Sequence, residues 1–234
     1  MKKIIRQESG MTLVELLVSL VISSFIIAGV YGVYTVQKKS YTVQEQVAEM
    51  QQRLRSAMDF LARDIRMAGS NPAYEAACSD GYKIIKADAQ EMIFRACNFE
   101  DENNDGVADD TDYEITIKFD PNSSEPNILH LTRDRDMNGA TSIPIADGVD
   151  QFEIQYISGY TPSGDPIPAP VATPGDRDNI RIVKISMLIR STYPDRKYTD
   201  TNQYVMGSGA TWIPPANDHF HRRLLITTIE LRNM

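Results

Sequence analysis

From Leu16 to Val36 the chain carries no charged side chain. Those 21 residues are enough to cross a bilayer core of about 30 Å as a helix. One carboxylate, Glu15, stands at the head of the run, behind the polar stretch MKKIIRQESG. After Val36 the pattern changes. Between Tyr41 and Ala68 the apolar residues Val43, Val47, Met50, Leu54, Ala57, Met58, Leu61, Ile65 and Ala68 recur every three or four positions, which predicts one helical stripe. Glu49 with Arg53, and Asp59 with Arg63, fall at i,i+4 with the acid first, the better order. Gly69 and then Asn71-Pro72 supply a stop. A single helix from Met11 to Ala68 is expected, and its outer half needs an apolar surface to lie on. Gly29 and Gly32 interrupt the uncharged run, each at up to about 1 kcal/mol. They fit local unwinding or close helix packing equally well.

From Tyr82 onward the period becomes two. Ile115, Ile117 and Phe119 alternate with polar residues, as do Phe152, Ile154 and Tyr156. Val183, Ile185, Met187 and Ile189 follow the same rule, and so do Leu225, Thr227, Ile229 and Leu231. Met92–Cys97 and Ile128–Thr132 are further strand candidates. Such alternation predicts an antiparallel sheet with one buried face, and the stripe of the helix is its simplest partner. The fold class expected is therefore α+β. Gly159–Asn179, with five prolines and three glycines, reads as irregular. Gly207–Asp218 reads as a second long connection and carries the only tryptophan, Trp212, as a partner contact or a cover over the sheet edge.

Charge adds an orientation. Lys2, Lys3 and Arg6 against Glu8 put +2 on the first ten residues, so the remainder carries −10 of the net −8. Positive charge before the apolar run keeps that end in the cytoplasm and sends the rest outward. The acidic remainder lacks the basic footprint that binding nucleic acid by bulk electrostatics needs. The run is longer than a secretory signal core, and no A-x-A-like cleavage site follows it.

A polar leader ending in Gly10, followed by Met11-Thr-Leu-Val-Glu15-Leu-Leu-Val-Ser-Leu20, resembles the prepilin signal of the type IV pilin family. The family most often has Phe where Met11 stands. The resemblance implies cleavage between Gly10 and Met11, N-methylation of Met11, and a role for Glu15 in assembly. A carboxylate at the edge of a membrane helix is costly unless paired. The new amine of a neighbouring subunit would supply the matching cation, whereas the bland alternative is a Glu15 that reaches the headgroups. More loosely, the remainder is similar to the PilW group of minor pilins and to the GspJ minor pseudopilins.

The resemblance implies a pilin-like architecture, one long helix packed on an antiparallel sheet with long loops. Its segments would be a leader (1–10), a transmembrane and assembly helix (11–36), an amphipathic helix on the sheet (37–69) and an exported β-rich domain (70–234). The implied partners are other pilin subunits through the N-terminal helix, the prepilin peptidase and methylase, the inner membrane before assembly, and a surface ligand. The implied role is a minor subunit incorporated in or initiating a pilus filament that serves adhesion, motility or DNA uptake. The alternatives are a minor pseudopilin of a type II secretion system and a non-polymerising membrane-anchored domain.

Two features suggest chemistry in the exported part. Asp101-Glu-Asn103-Asn-Asp105-Gly106-Val107-Ala-Asp109-Asp-Thr-Asp112 follows the D-x-[DN]-x-[DN]-G spacing of a calcium loop. Oxygens of Asp101, Asn103 and Asp105 would converge at the Gly106 turn, with the Val107 carbonyl and Asp109 completing the set. Asp112 stands where a bidentate Glu is usual. The alternative is a solvated acidic hairpin tip. Asp134, Asp136 and Asn138 before Gly139 repeat the opening spacing, but Ile145 in the twelfth position cannot ligate, so a turn is expected there. Cys78 and Cys97 lie on the exported side, where a disulfide would persist and contribute about 3 kcal/mol; two buried thiols are the alternative.

His219 and His221 would share a strand face, but no third ligand is spaced with them to complete a zinc site. No G-x-S-x-G, H-E-x-x-H or P-loop pattern occurs, and no catalytic residue is assigned.

Overall fold

The computed structural model describes residues 11–70, 83–100, 109–121, 127–134 and 142–232. Two compact units emerge, Met1–Glu45 and Gln46–Met234. Helix α1 runs Leu13–Arg66. In the first unit it is exposed on every side, with Leu13, Phe25, Ile27 and Tyr31 all at least two-thirds open.

In the second unit the expected stripe is buried. Met50, Leu54, Ala57, Met58, Leu61, Ile65 and Ala68 form one cluster with the strands, joined by Ala62, while Val47 packs at its margin. None of the core residues precedes Met50 except that partly buried valine, so the second unit carries its own core. The helix ends as its sequence suggests. Met67 and Ala68 donate to Asp64 and Ile65, tightening the last turn. Gly69 then takes φ +68°, and its N–H donates to the Arg95 carbonyl at 2.9 Å. A left-handed residue just past a helix favours glycine.

The strands fall into three sheets instead of one. The first is a five-stranded meander of β1 (Ile84–Ala87), β2 (Glu91–Glu100), β3 (Asp109–Phe119), β4 (Ile128–Asp134) and β5 (Ser142–Asp147). The second contains β6 (Val149–Tyr160), β7 (Pro166–Pro168), β8 (Ile182–Arg190) and β11 (Arg222–Glu230), in the order β11-β8-β6-β7. The third is a ribbon of β9 (Tyr204–Val205) with β10 (Thr211–Trp212). All pairings are antiparallel. Period-two alternation tells which face of a strand is buried but not which strand lies beside it. The division into sheets was therefore not predictable from it. The rings of Phe119 and Phe152, 6.2 Å apart, join the two large sheets.

Two segments read as irregular hold short elements. Gly159–Asn179 contains β7 and the one-turn helix α2 (Pro174–Arg177), capped reciprocally by Thr173 and Asp176. Hydrogen bonds from Thr173 hold the Asp176 carboxyl below its usual range. The region 204–212 is the β9–β10 ribbon. It lies over the second sheet. The Gly207 N–H donates to Ser186 Oγ at 2.8 Å, and Lys184 Nζ donates to the Gly207 carbonyl at 2.9 Å. This cover explains why β8 is buried on both faces, with Ser186 and Leu188 fully enclosed.

Candidate functional site

The apolar part of α1 is the first candidate. Thr12 precedes the helix and accepts a hydrogen bond on Oγ1 from the Glu15 N–H at 3.3 Å. Thr12 and Glu15 therefore occupy the first and fourth positions of a T-x-x-E cap. That spacing is legible in the sequence. It places the Glu15 carboxylate in the first turn, where the helix dipole favours negative charge. Beyond it, Ser19, Ser24 and Thr35 return their hydroxyl protons to the Leu16, Val21 and Gly32 carbonyls at 2.7–2.9 Å. These three hydroxyls are thus satisfied within the helix, as a lipid environment demands. Gly29 and Gly32 have no neighbour within 4 Å of an added Cβ. The helix offers length, apolar composition with mean hydropathy 2.4, and one acid at its head. Met11 is exposed, and Gly10 lies outside the described residues.

The second candidate was the acidic stretch. It connects β2 to β3, whose ladder pairs Glu100 with Asp109 and Cys97 with Asp112. Asp101, Asn103, Asp105 and Val107 lie outside the described residues, as do the side chains of Asp109 and Asp112. Cys78 and the Cys97 side chain are outside them too. Asp134 ends β4 opposite Glu114.

The histidines are structural. His219 Nδ1 lies 2.5 Å from the Tyr198 carbonyl, and His221 stacks on the Tyr198 ring at 4.0 Å with Nε2 3.4 Å from Asp195. No third metal ligand joins them among the described residues.

Sequence reasoning missed a buried ionic cluster that ties down residues 191–221. Arg222 donates from Nε to Asp150 at 2.6 Å, and from its two terminal nitrogens to Asp218 at 2.9 and 2.8 Å. It also reaches Asp200 at 3.1 Å and lies 5.0 Å from the Trp212 ring centre. Asp200 accepts further from Tyr204 and Asn202. Arg190 faces Asp150 at 3.5 Å and the Phe220 ring at 4.8 Å.

Burial pushes the Asp150 carboxyl above its usual range, against the pull of Arg222. Hydrogen bonds from Arg222 hold Asp218 below it. At Asp200 burial acts upward, but the Asn202 N–H, Tyr204 and Arg222 together outweigh it and hold the group low. Trp212 is thus a half-buried cover over the cluster. An Asp-x-x-x-Arg spacing was visible in the sequence, but nothing in it showed that Asp150 and Asp200 would converge on the same guanidinium.

A cleft of about 560 Å³ opens where the β9–β10 ribbon meets the sheets, lined among others by Glu91, Lys118, Glu153 and Trp212. It gathers no residue that the sequence marked for chemistry except Trp212.

An exposed apolar helix headed by a capped acid, continuing into a domain where it packs on antiparallel sheets, defines a subunit of the type IV pilin class. A family model described as Type IV Pilus-assembly protein W matches residues 115–233, and the chain belongs to that family. A second, described as Prokaryotic N-terminal methylation motif, matches residues 5–31, which include Gly10, Met11 and Glu15. Among solved structures the chain is similar to the Type IV-like pilin TTHA1219 from Thermus thermophilus, at 14% identity and TM-score 0.48, covering 78% of this chain and 97% of that one. No curated protein matched. The protein is a minor type IV pilin-like subunit, anchored in the inner membrane and assembling into pili. Its motif and family bring it to the prepilin peptidase and to other pilus components.

Proposed function

We propose that the protein works by assembly and not by turnover. The leader is removed after Gly10, Met11 becomes a methylated amine, and Glu15 pairs with the amine of a neighbouring subunit inside the filament. The observation that carries this reading is Glu15 as the sole side-chain charge from Met11 to Val36, at the head of an apolar helical run with no burial of its own. A lone carboxylate in an apolar assembly gains most from one neighbouring cation, and that pairing selects one axial offset between helices. The structural character of the family supports a subunit without catalytic activity. Glu15→Ala tests the pairing. Sheared filaments should lack the variant while its membrane level stays normal. Incorporation at the wild-type level would overturn the role given to Glu15.

Two smaller proposals concern the exported domain. The stretch Asp101–Asp112 binds calcium at the β2–β3 connection, in the range of about 10⁻⁴–10⁻³ M seen for extracellular sites. A soluble fragment starting near Tyr41 should melt higher in millimolar calcium than in chelator; an unchanged midpoint would leave a solvated hairpin tip. Cys78 and Cys97 form a disulfide, and the intact mass under non-reducing conditions should be two hydrogens below the dithiol value. Recovery of both thiols would remove it.

A further inference from the structure

The two large sheets have four edges, and three of them are blocked. At β1 the Arg177 guanidinium donates to the Ile84 and Ile85 carbonyls, so α2 covers that edge. β5 contains Pro144, and β7 is three residues long with Pro166 and Pro168. Prolines, short strands and covering segments are the devices by which proteins prevent unwanted strand pairing. Among the described residues, none of these devices protects β11. It is nine residues long and contains neither proline nor lysine.

Its register shows which backbone groups are open. Leu231 N–H donates to the Arg181 carbonyl and Ser191 N–H to the His221 carbonyl, both at 2.8 Å, so the bonded pairs bracketing the ladder involve odd-numbered residues of this strand. In an antiparallel ladder bonded and non-bonded pairs alternate. Residues 223, 225, 227 and 229 therefore bond to β8. The N–H and C=O groups of Leu224, Ile226, Thr228 and Glu230 point away from it. Among the described residues no backbone group pairs with them. Ile226, at the middle, is 40% exposed, and Thr228 and Glu230 are exposed.

We propose that the outer edge of β11 accepts an extended strand from another pilus subunit, added antiparallel to the second sheet. The inference rests on the reading of the protein as a filament component and adds a second contact, made by the second unit. Main-chain hydrogen bonds would supply affinity, and alternate side chains the choice of partner. The charge order of β11 sets that choice. Arg223 stands exposed near its start and Glu230 at its end. An antiparallel partner therefore needs a base near its own start, to meet Glu230, and an acid near its end, to meet Arg223. Between them it needs β-branched residues to lie beside Leu224, Ile226 and Thr228.

The second unit, which has its own core, suits the test. The ligand is a labelled eight-residue peptide with lysine first, aspartate last and alternating threonine and valine between, so that its ends fall opposite Glu230 and Arg223. Wild-type domain should bind it saturably, and Ile226→Pro should weaken binding about tenfold or more. The Ile226 N–H points off the sheet, the one strand position where proline is tolerated, so the variant should melt near the wild type. A peptide with lysine and aspartate exchanged should bind more weakly. No binding, equal binding to Ile226→Pro, or no preference between the peptides would overturn the proposal. So would a wild-type domain that dimerises while Ile226→Pro stays monomeric, since a second copy would then occupy the edge. None of these outcomes depends on Glu15, so the edge and the assembly helix fail separately.

Discussion

Arg222 and Asp218 face each other across one turn of chain with two parallel hydrogen bonds, 2.9 and 2.8 Å long, and both side chains are nearly sealed from solvent. The paired geometry matches the fork of a guanidinium to a carboxylate. Because Arg222 also holds Asp150 and Asp200, it is in direct contact with three buried acids. Removing it by Arg222→Met would strand those acids, and the loss of stability should be about 3–5 kcal/mol. Lysine cannot bond to three acids in a fork, so Arg222→Lys should recover only part of that loss. Urea unfolding of the domain checks both values.

The same cluster sets an acid limit. Asp200 and Asp218 have folded values below the ordinary 3.8, so their contribution is present above that pH and lost as the pH falls through the folded values. Asp150 has the opposite sign. Its folded value is raised, so its contribution is full below 3.8 and declines as the pH rises through that raised value. The loss at Asp200 and Asp218 therefore falls on the acid side, below about pH 4. Asp218→Asn should flatten that acid limb, and Asp150→Asn should steepen it. Melting temperatures between pH 3 and 6 would show the reverse order if the assignment of directions is wrong.

The cap position of Glu15 and the assembly role proposed for it can be separated. As the fourth position of the cap it needs only a hydrogen-bonding side chain, and glutamine serves there as well. As the partner of a neighbour's amine it needs charge. Glu15→Gln should therefore keep the helix start yet fail to enter filaments, like Glu15→Ala. Thr12→Ala should do the opposite, fraying the first turn by about 1 kcal/mol while filaments still form. Amide exchange in micelles reads the first effect and immunoblots of sheared pili the second.

The ribbon over the second sheet depends on a close approach. A Cβ on Gly207 would stand 2.6 Å from Ser186 Oγ and 3.1 Å from Gln155 Oε1. Gly207→Ala should cost about 1–3 kcal/mol. Ser186→Ala removes the nearer atom, so the double variant should lose less than the two single losses added together. Strict additivity in a double-mutant cycle would mean that the crowding lies elsewhere.

Much of the molecule could be read from spacing. The stripe from Met50 to Ala68, the Gly69 stop and the six strand candidates all reappear as buried helix face, left-handed cap and strands. The strands β1, β5, β7, β9 and β10 were not legible. Each is at most six residues long, and β5 and β7 contain proline, which the same rules take as a turn signal. The Thr12–Glu15 cap could have been found from its spacing.

What the sequence alone determined is what depends on near neighbours in the chain. An uncharged run of bilayer length, the acid at its head, the amphipathic continuation and the alternation of strands are all local periodicities, each set by helix or strand geometry. What only the tertiary structure decided is which distant residues meet. The convergence of Asp150, Asp200 and Asp218 on Arg222, the ribbon folded over β8 and the open edge of β11 follow from strand neighbours and register. Side-chain patterning leaves those open, because an alternating strand satisfies its own burial beside any partner that shares the core.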